Sequence, residues 1–423
     1  MTHTSGKVVV AGQGYVGLPL AVRAAEVGFD VVGYEPDAER LQRLLNGDSY
    51  VEDVSSSALL SSIESGRYFP TGELGKCADF DIAVITVPTP LSEGSPDLTH
   101  IEESARELAP FVRTGATVIL ESTTYPGTTD ELLVPILEKG SELRAGVDFH
   151  VGYSPERIDP GNRVWTFSNT PKVVSGIDEA SLSSVKTFYD ALVEITVPVS
   201  GTRVAEMTKL LENTFRHVNI ALVNELAMFA GELGVDVWEA ISAASTKPFG
   251  FMTFTPGPGV GGHCLPVDPS YLSWKVKQTL GSTFRFVELA NDVNDHMPHY
   301  VVQRAVVALN RARKAVNGAH VLVLGLAYKP NSGDVRESPG PVICDRLVAL
   351  GANVAVVDPL LGQLRLPRGV TRVDLTRQGI AEADLVIVVT DHDAFDWEQV
   401  VDTARWVLDT RHRLPSSPNV EYL

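Results

Sequence analysis

The sequence predicts an α/β protein in which two doubly wound parallel sheets are joined by a long central helix, and three observations predict it. Through the first half, short β-branched runs (KVVVAG, VVGYE, DIAVITV, ATVILES, DFHVGYS) alternate with amphipathic segments such as Leu18 to Val27. The same rhythm returns near the end in HVLVLG, NVAVVD, LVIVVT and WVLD. Strands that alternate with crossover helices build parallel sheets, so each end of the chain is expected to form a Rossmann-like domain. Between them, Thr202 to Gly234 is rich in Ala, Glu, Leu, Met and Asn, carries apolar residues at helical spacing and has no proline, which predicts one long helix. Pro248 to Pro269, dense in Gly and Pro, is expected to be a loop, and loops of that kind between domains often carry function.

At 423 residues the chain is too long for one core, and roughly 100 to 200 residues per domain suggests two or three. Residues are 44% hydrophobic and 21% charged, and no apolar run approaches the roughly 20 residues needed to cross a bilayer. Nothing resembles a signal peptide, since Lys7 leads straight into a strand pattern, and a cytoplasmic location is expected. A formal net charge of -18 argues against nucleic-acid or anionic-membrane binding, because phosphate would be repelled by the average surface field. A small anionic ligand then needs a locally basic pocket. The cysteines, Cys77, Cys264 and Cys344, are odd in number and far apart, which fits a reducing compartment. No metal site is expected.

Gly12, Gly14 and Gly17 form GQGYVG after the first strand and before a helix, where glycines allow a tight turn and close approach of a pyrophosphate. Glu35 ends the second strand, where a carboxylate accepts from both ribose hydroxyls and repels the extra phosphate of NADP, so NAD is the expected cofactor. VPTP and ESTTYPGTT follow later strands and face the same sheet edge, which puts the Thr89 and Thr123 hydroxyls near it.

Cys264 lies in PGPGVGGHCLPVDP, where glycines admit a ligand and prolines stiffen the loop around a thiol. Polar neighbours His263 and Asp268 suit a thiolate nucleophile, whereas Cys77 and Cys344 have the surroundings of inert core cysteines. His263 either shares in the chemistry or only shapes the loop. Asp268 is either a general base for water or the cap of a helix starting near Tyr271. On the long helix Lys209, Asn213 and Arg216 share a face, either as a solvated polar stripe or as donors into a cleft.

GQGYVGLPLA, VPTPL with PDL shortly after, ESTTYPGTT, YSPERIDPGN, AEMTKLLENTFRHVNIALVNELA, PGPGVGGHCLPVDPSYL and GLAYKPNSGDVRESP run in order over nearly the whole chain. Together they closely resemble the nucleotide-sugar 6-dehydrogenases, the family of UDP-glucose and UDP-N-acetylhexosamine dehydrogenases. The resemblance implies a dinucleotide domain over 1–197, a helical dimerisation domain with the cysteine loop over 198–305 and a nucleotide-sugar domain over 306–423. It implies a homodimer or higher homo-oligomer. It also implies that Cys264 captures the C6 aldehyde as a thiohemiacetal, which a second NAD takes to a thioester that water hydrolyses.

By the same resemblance Lys209 and Asn213 stabilise the oxyanion, while Asp268, Thr123 and Glu156 position or activate water. Tyr15, Val16, Glu35, Arg40, Thr89, Thr123 and Arg336 match cofactor contacts, alongside the three glycines. Arg157, Ile158, Lys209, Asn213, Arg216, Phe254, Gly261, Tyr328 and Lys329 match positions near the nucleotide sugar. UDP-glucose enzymes usually carry lysine where Val267 precedes Asp268, and KPFGFMTFTPGPG resembles the UDP-N-acetylglucosamine branch more than the N-acetylmannosamine one. Glu35 stands where the family more often has Asp, which keeps the charge and lengthens the reach. UDP-N-acetylglucosamine is therefore the expected substrate, with UDP- or TDP-glucose as the alternative. A two-electron hydroxyacid dehydrogenase would lack the cysteine loop and second sheet, and a sensor without turnover would have no need to keep Cys264, Lys209, Asn213 and Asp268.

Overall fold

The computed structural model describes residues 6–423 except 93, 159–161, 163, 263 and 363–365, and of Cys264 it describes the backbone alone. The chain divides into two compact units, Met1–Glu212 and Asn213–Leu423.

The first unit is built on β1 (Lys7–Ala11), β2 (Asp30–Tyr34), β3 (Tyr68–Thr71), β4 (Ile82–Ile85), a small hairpin of β5 (Leu91–Ser92) and β6 (Ser95–Pro96), then β7 (Thr117–Leu120), β8 (His150–Tyr153), β9 (Lys172–Gly176) and β10 (Thr196–Pro198). Apart from the hairpin, these form one sheet in the order β10-β9-β8-β7-β4-β1-β2-β3. Six of them, β3-β2-β1-β4-β7-β8, are parallel and doubly wound, with the winding reversing between β1 and β4. Both faces are covered: Val8 and Val10 pack with Leu18, Leu20 and Phe29, while Val9 and Ala11 pack with Ala83, Ile85 and Ile101. Burial on both faces is why these strands are runs of valine and isoleucine rather than alternating patterns.

Two strands, β9 and β10, which pair parallel with each other, depart from the expected parallel order. β9 runs antiparallel to β8, with Gly152 opposite Gly176, so that its first residue, Lys172, lies at the edge where β7 and β8 finish.

The expected long helix spans Thr202–Ala230, about 43 Å at 1.5 Å per residue. It stops four residues short of Gly234, which takes a left-handed φ of 71° in the turn that follows.

The second unit carries helices Val237–Ser245, Cys264–Leu280 and Arg285–Arg311, then β11 (His320–Leu324), β12 (Asn353–Val357), β13 (Val370–Arg372), β14 (Leu385–Val388), β15 (Val407–Asp409) and β16 (Val420–Tyr422). These six strands are all parallel in the order β13-β12-β11-β14-β15-β16, the same winding as the core of the first sheet.

The expected loop from Pro248 to Pro269 is corrected here, because a helix begins at Cys264 and includes Pro269. Pro266 sits in the first turn, where its missing N–H has no helical partner to lose, and its carbonyl accepts from Ser270 Oγ at 2.9 Å. Asp268 therefore lies inside this helix and does not cap one starting at Tyr271.

Candidate active site

The loop after β1 has the form of a phosphate cradle. Gly12 adopts φ 89°, a Cβ on Gly14 would meet nothing within 4 Å, and one on Gly17 would lie 1.9 Å from the Gly12 carbonyl oxygen. Helix Gly17–Glu26 starts there at Val16 with no side-chain cap and no acid in its first turn, an arrangement suited to an anion. Glu35, buried just after β2, is aimed by two backbone donors: Gln13 N–H to Oε2 and Asp37 N–H to Oε1, both at 3.1 Å. Arg40 follows on the next helix and lies over the Tyr50 ring at 5.9 Å. Tyr15 is exposed, Thr89 and Thr123 are buried, and the threonines follow the adjacent parallel strands β4 and β7, of which β4 pairs with β1. The cradle, the aimed carboxylate and the open helix start fit a dinucleotide.

Behind Thr123 stands a cluster that sequence reasoning missed. Lys172 reaches both Glu121 and, at 3.4 Å, Glu156, and Tyr189 OH donates to Glu121 Oε2 at 2.6 Å. Glu156 Oε1 accepts from the N–H groups of Arg157 and Ile158 at 2.6 and 2.5 Å. Lys209 is buried and bears electrostatically on Glu156. Arg157 is tied to Glu212 at 2.7 Å and to the Pro171 carbonyl oxygen at 2.6 Å, so its guanidinium is largely spent inside the unit. A lysine opening a strand gives no sequence signal of burial, and its partners lie 51 and 16 residues away.

In the second unit Asn213 Nδ2 donates to Asp268 Oδ2 at 2.6 Å, and Asp268 is fully buried four residues beyond Cys264. Arg216 is exposed. His263 and the Cys264 side chain lie outside the described residues. The other two thiols are buried, and burial pushes Cys77 up to about 11 and Cys344 up to about 12, as expected of inert core cysteines.

A buried amide chain anchors the loop before Cys264. Gly257 N–H donates to Asn224 Oδ1 and Asn224 Nδ2 to Asn294 Oδ1, both at 2.9 Å. Asn294 Nδ2 meets His217 Nδ1 at 3.3 Å, and His217 Nε2 meets Asn291 Oδ1 at 2.8 Å. Every link has a donor when His217 is neutral with its proton on Nε2. Burial lowers the His217 pKa, the Asn291 bond opposing, which favours that form. Phe254 packs edge-on against Phe215 at 5.8 Å. Gly261 faces the backbone of Glu337 and Cβ of Tyr328, where a Cβ of its own would come within 2.8 and 2.6 Å, and Gly262 N–H donates to the Arg336 carbonyl oxygen at 2.9 Å.

Tyr328, Lys329 and Arg336 share the loop after β11. Asp358 holds its start by accepting from Leu326 N–H at 2.8 Å and from His392 Nε2 at 3.1 Å, and His392 Nδ1 accepts from Asn331 N–H at 3.0 Å. Arg336 forks onto Asp334 of the same loop at 2.6 Å. Arg411, after β15, is a second group that sequence reasoning missed. Its Nε donates to the Val389 carbonyl oxygen at 2.8 Å, and a Cβ on Gly257 would lie 2.9 Å from its terminal nitrogen. An arginine just past a strand of the second sheet, at the edge where ligands bind such sheets, was the available signal, though Arg413 two residues on shares it.

Three family models match in chain order: the UDP-glucose/GDP-mannose dehydrogenase family NAD binding domain over residues 6–193, its central domain over 203–296 and its UDP binding domain over 322–416. The chain is 34% identical over 418 residues to a UDP-N-acetyl-D-mannosamine dehydrogenase of Pyrococcus horikoshii, covering 97% of each. It is 40% identical over 355 residues to a UDP-N-acetyl-D-glucosamine 6-dehydrogenase of Pseudomonas aeruginosa, covering 84% of this chain and 82% of that one. A solved UDP-D-ManNAc dehydrogenase from Pyrococcus horikoshii superposes with a TM-score of 0.90 at 33% identity, over 98% of both chains.

Proposed function

We propose, for a chain that belongs to the UDP-glucose/GDP-mannose dehydrogenase family, that it oxidises C6 of UDP-N-acetylglucosamine to the uronic acid in two NAD-dependent steps. The observation that carries this reading is Asn213 bonded to the buried Asp268 on the helix that Cys264 begins, since it joins three residues with matched roles in one short stretch of fold. When bound, NAD accepts one hydride in each step.

Cys264 adds its thiolate to the C6 aldehyde, and the resulting thiohemiacetal oxygen needs donors, a role given to Lys209 and Asn213. Loss of a hydride and a proton leaves the thioester. Thr123, Glu156 and Asp268 position or activate the water that cleaves it, releasing the carboxylate and returning the thiol. Residues 1–197 hold NAD, 198–305 carry the helix and cysteine loop, and 306–423 hold the nucleotide, with Tyr328, Lys329 and Arg411 facing its diphosphate or sugar.

UDP-N-acetylmannosamine is a second reading, favoured by the name of the relative matched over 97% of both chains. A homodimer fits the long helix, which exposes Val204, Met207, Leu211, Phe215, Leu222, Leu226 and Phe229 at spacings of three, four and seven. Such a stripe is a seam for a second helix.

Incubation with NAD and a panel of UDP- and TDP-linked glucose, N-acetylglucosamine, galactose and N-acetylmannosamine tests the reading by NADH absorbance and product mass. Two NADH per sugar and a uronic acid are expected, most rapidly from UDP-N-acetylglucosamine. In Cys264→Ala acid formation should stop while NAD affinity is kept; normal turnover of that variant defeats the mechanism.

A further inference from the structure

The cluster behind Thr123 contains a carboxyl that the proposed chemistry does not use. Glu121 follows β7, Glu156 follows β8 and Lys172 opens the reversed β9, so three adjacent strands bring two carboxyls to one ammonium. Glu121 is wholly enclosed, and the Lys172 and Glu156 side chains are at most 9% exposed.

Full ionisation would leave the Glu121 charge without a counter-ion of its own, because Lys172 is shared with Glu156 and the buried Lys209 acts on Glu156, and in a site nearly without water that is heavily penalised. A proton kept on the pair removes that charge, and the partners decide which carboxyl keeps it. Glu156 accepts from two backbone N–H groups and from Lys172, all of which favour a carboxylate. Among the described residues no backbone N–H donates to Glu121, whose partners are Tyr189 OH, Lys172 and Glu156 itself.

Burial pushes the Glu121 carboxyl up to about 7, with Lys172 opposing and Glu156 adding to the rise. Burial acts on Glu156 in the same direction, yet Lys172, the bond from Glu121, the Ile158 N–H and Lys209 hold it below the usual range. The titratable groups facing Glu121 are Lys172 on β9, Glu156 after β8 and Tyr189 on helix Glu179–Leu192.

We propose that Glu121 is a positioning residue that works as a neutral carboxylic acid, donating a hydrogen bond that keeps Glu156 ionised and correctly aimed. This rests on the reading of Glu156 as a group that positions or activates water. When Glu121 ionises at higher pH the donor is lost and the two carboxylates repel.

The test compares Glu121→Leu, Glu121→Gln and Glu156→Gln with the wild type. Glu121→Leu should lower kcat about tenfold or more, the usual size when a group orienting a reacting residue is lost, with KM for NAD unchanged. Glu121→Gln, an isosteric neutral donor, should restore most of that loss and shift the alkaline limb of the kcat profile upward. A carboxyl raised in the folded state gives stability that is complete below its unfolded value of 4.5 and is lost as pH rises through about 7. Relative to the wild type, Glu121→Gln should therefore melt higher at pH 8 than at pH 6. If Glu121→Gln restores no activity, or if its melting difference runs the other way, Glu121 is an ionised partner of Lys172 and the proposal is overturned. Full turnover by Glu156→Gln with the expected melting pattern would instead defeat the reading of Glu156, and the positioning role with it, while leaving the charge state of Glu121 standing.

Discussion

Glu35 is the single side chain proposed to set cofactor choice. Its oxygens are each fixed by a backbone N–H, so the carboxylate cannot swing away from a ribose or make room for a phosphate. Glu35→Ala should raise KM for NAD about tenfold and improve the ratio of NADP to NAD in kcat/KM, read from initial rates with each cofactor; an unchanged ratio would remove Glu35 from cofactor selection. Residues of this kind were legible in the sequence because their position after a strand, or within a glycine turn, already limits what they can do. Glu121, Lys172 and Arg411 were not, since a charge at a strand end reads as solvated until a partner far along the chain is known to enclose it. Arg336 shows a further limit, because its motif matches a cofactor contact while its guanidinium is paired with Asp334 two residues away.

Among the elements, the helices at the centre of the chain carry most of the consequence. The amide chain from Gly257 to Asn291 ties the loop before Cys264 to the long helix and to Arg285–Arg311. Asn224→Leu leaves the Gly257 N–H buried without its acceptor, a cost of about 1 to 3 kcal/mol, and frees the loop. It should lower both melting temperature and kcat while NAD affinity, measured calorimetrically, stays unchanged; intact kcat would show that the tether does not serve the site. His217 adds a pH dependence of definite sign. Its folded pKa is lowered, so the stability it gives is present above the unfolded value of 6.5 and lost as pH falls through the folded value. The wild type should therefore lose more melting temperature between pH 7 and pH 5 than His217→Gln does. Strand and helix existence was largely readable from apolar runs and periodicity, but two features were not. Strands buried on both faces carry no mark of direction, which hid the reversal of β9. Proline density concealed the start of the Cys264–Leu280 helix, because proline in a first turn costs little and looks identical to proline in a loop.

At the scale of the whole molecule, two sheets with the same winding sit in two compact units, and each presents the edge where such sheets bind nucleotides. The first has the glycine cradle and Glu35; the second has no such cradle after β11 but supplies Lys329 and Arg411 near the ends of its strands, which suits a charged diphosphate. If the two nucleotides are divided in this way, their effects on stability are separable. A ligand at 100 times its Kd stabilises the folded state by about 2.7 kcal/mol, and for a compact unit of the size of Met1–Glu212 or Asn213–Leu423 each kcal/mol moves a melting temperature by roughly 2 to 4 °C. NAD and UDP should each raise the melting temperature of the wild type by several degrees. Glu35→Ala, with NAD bound about tenfold more weakly, should lose about half of the NAD shift and keep that of UDP, whereas Arg411→Ala should reduce the UDP shift and keep that of NAD. Because both variants report on the same folded chain, a general loss of stability would lower both baselines without abolishing either increment. The division of labour between the sheets fails if one variant abolishes both shifts, since the two nucleotides would then depend on a common site.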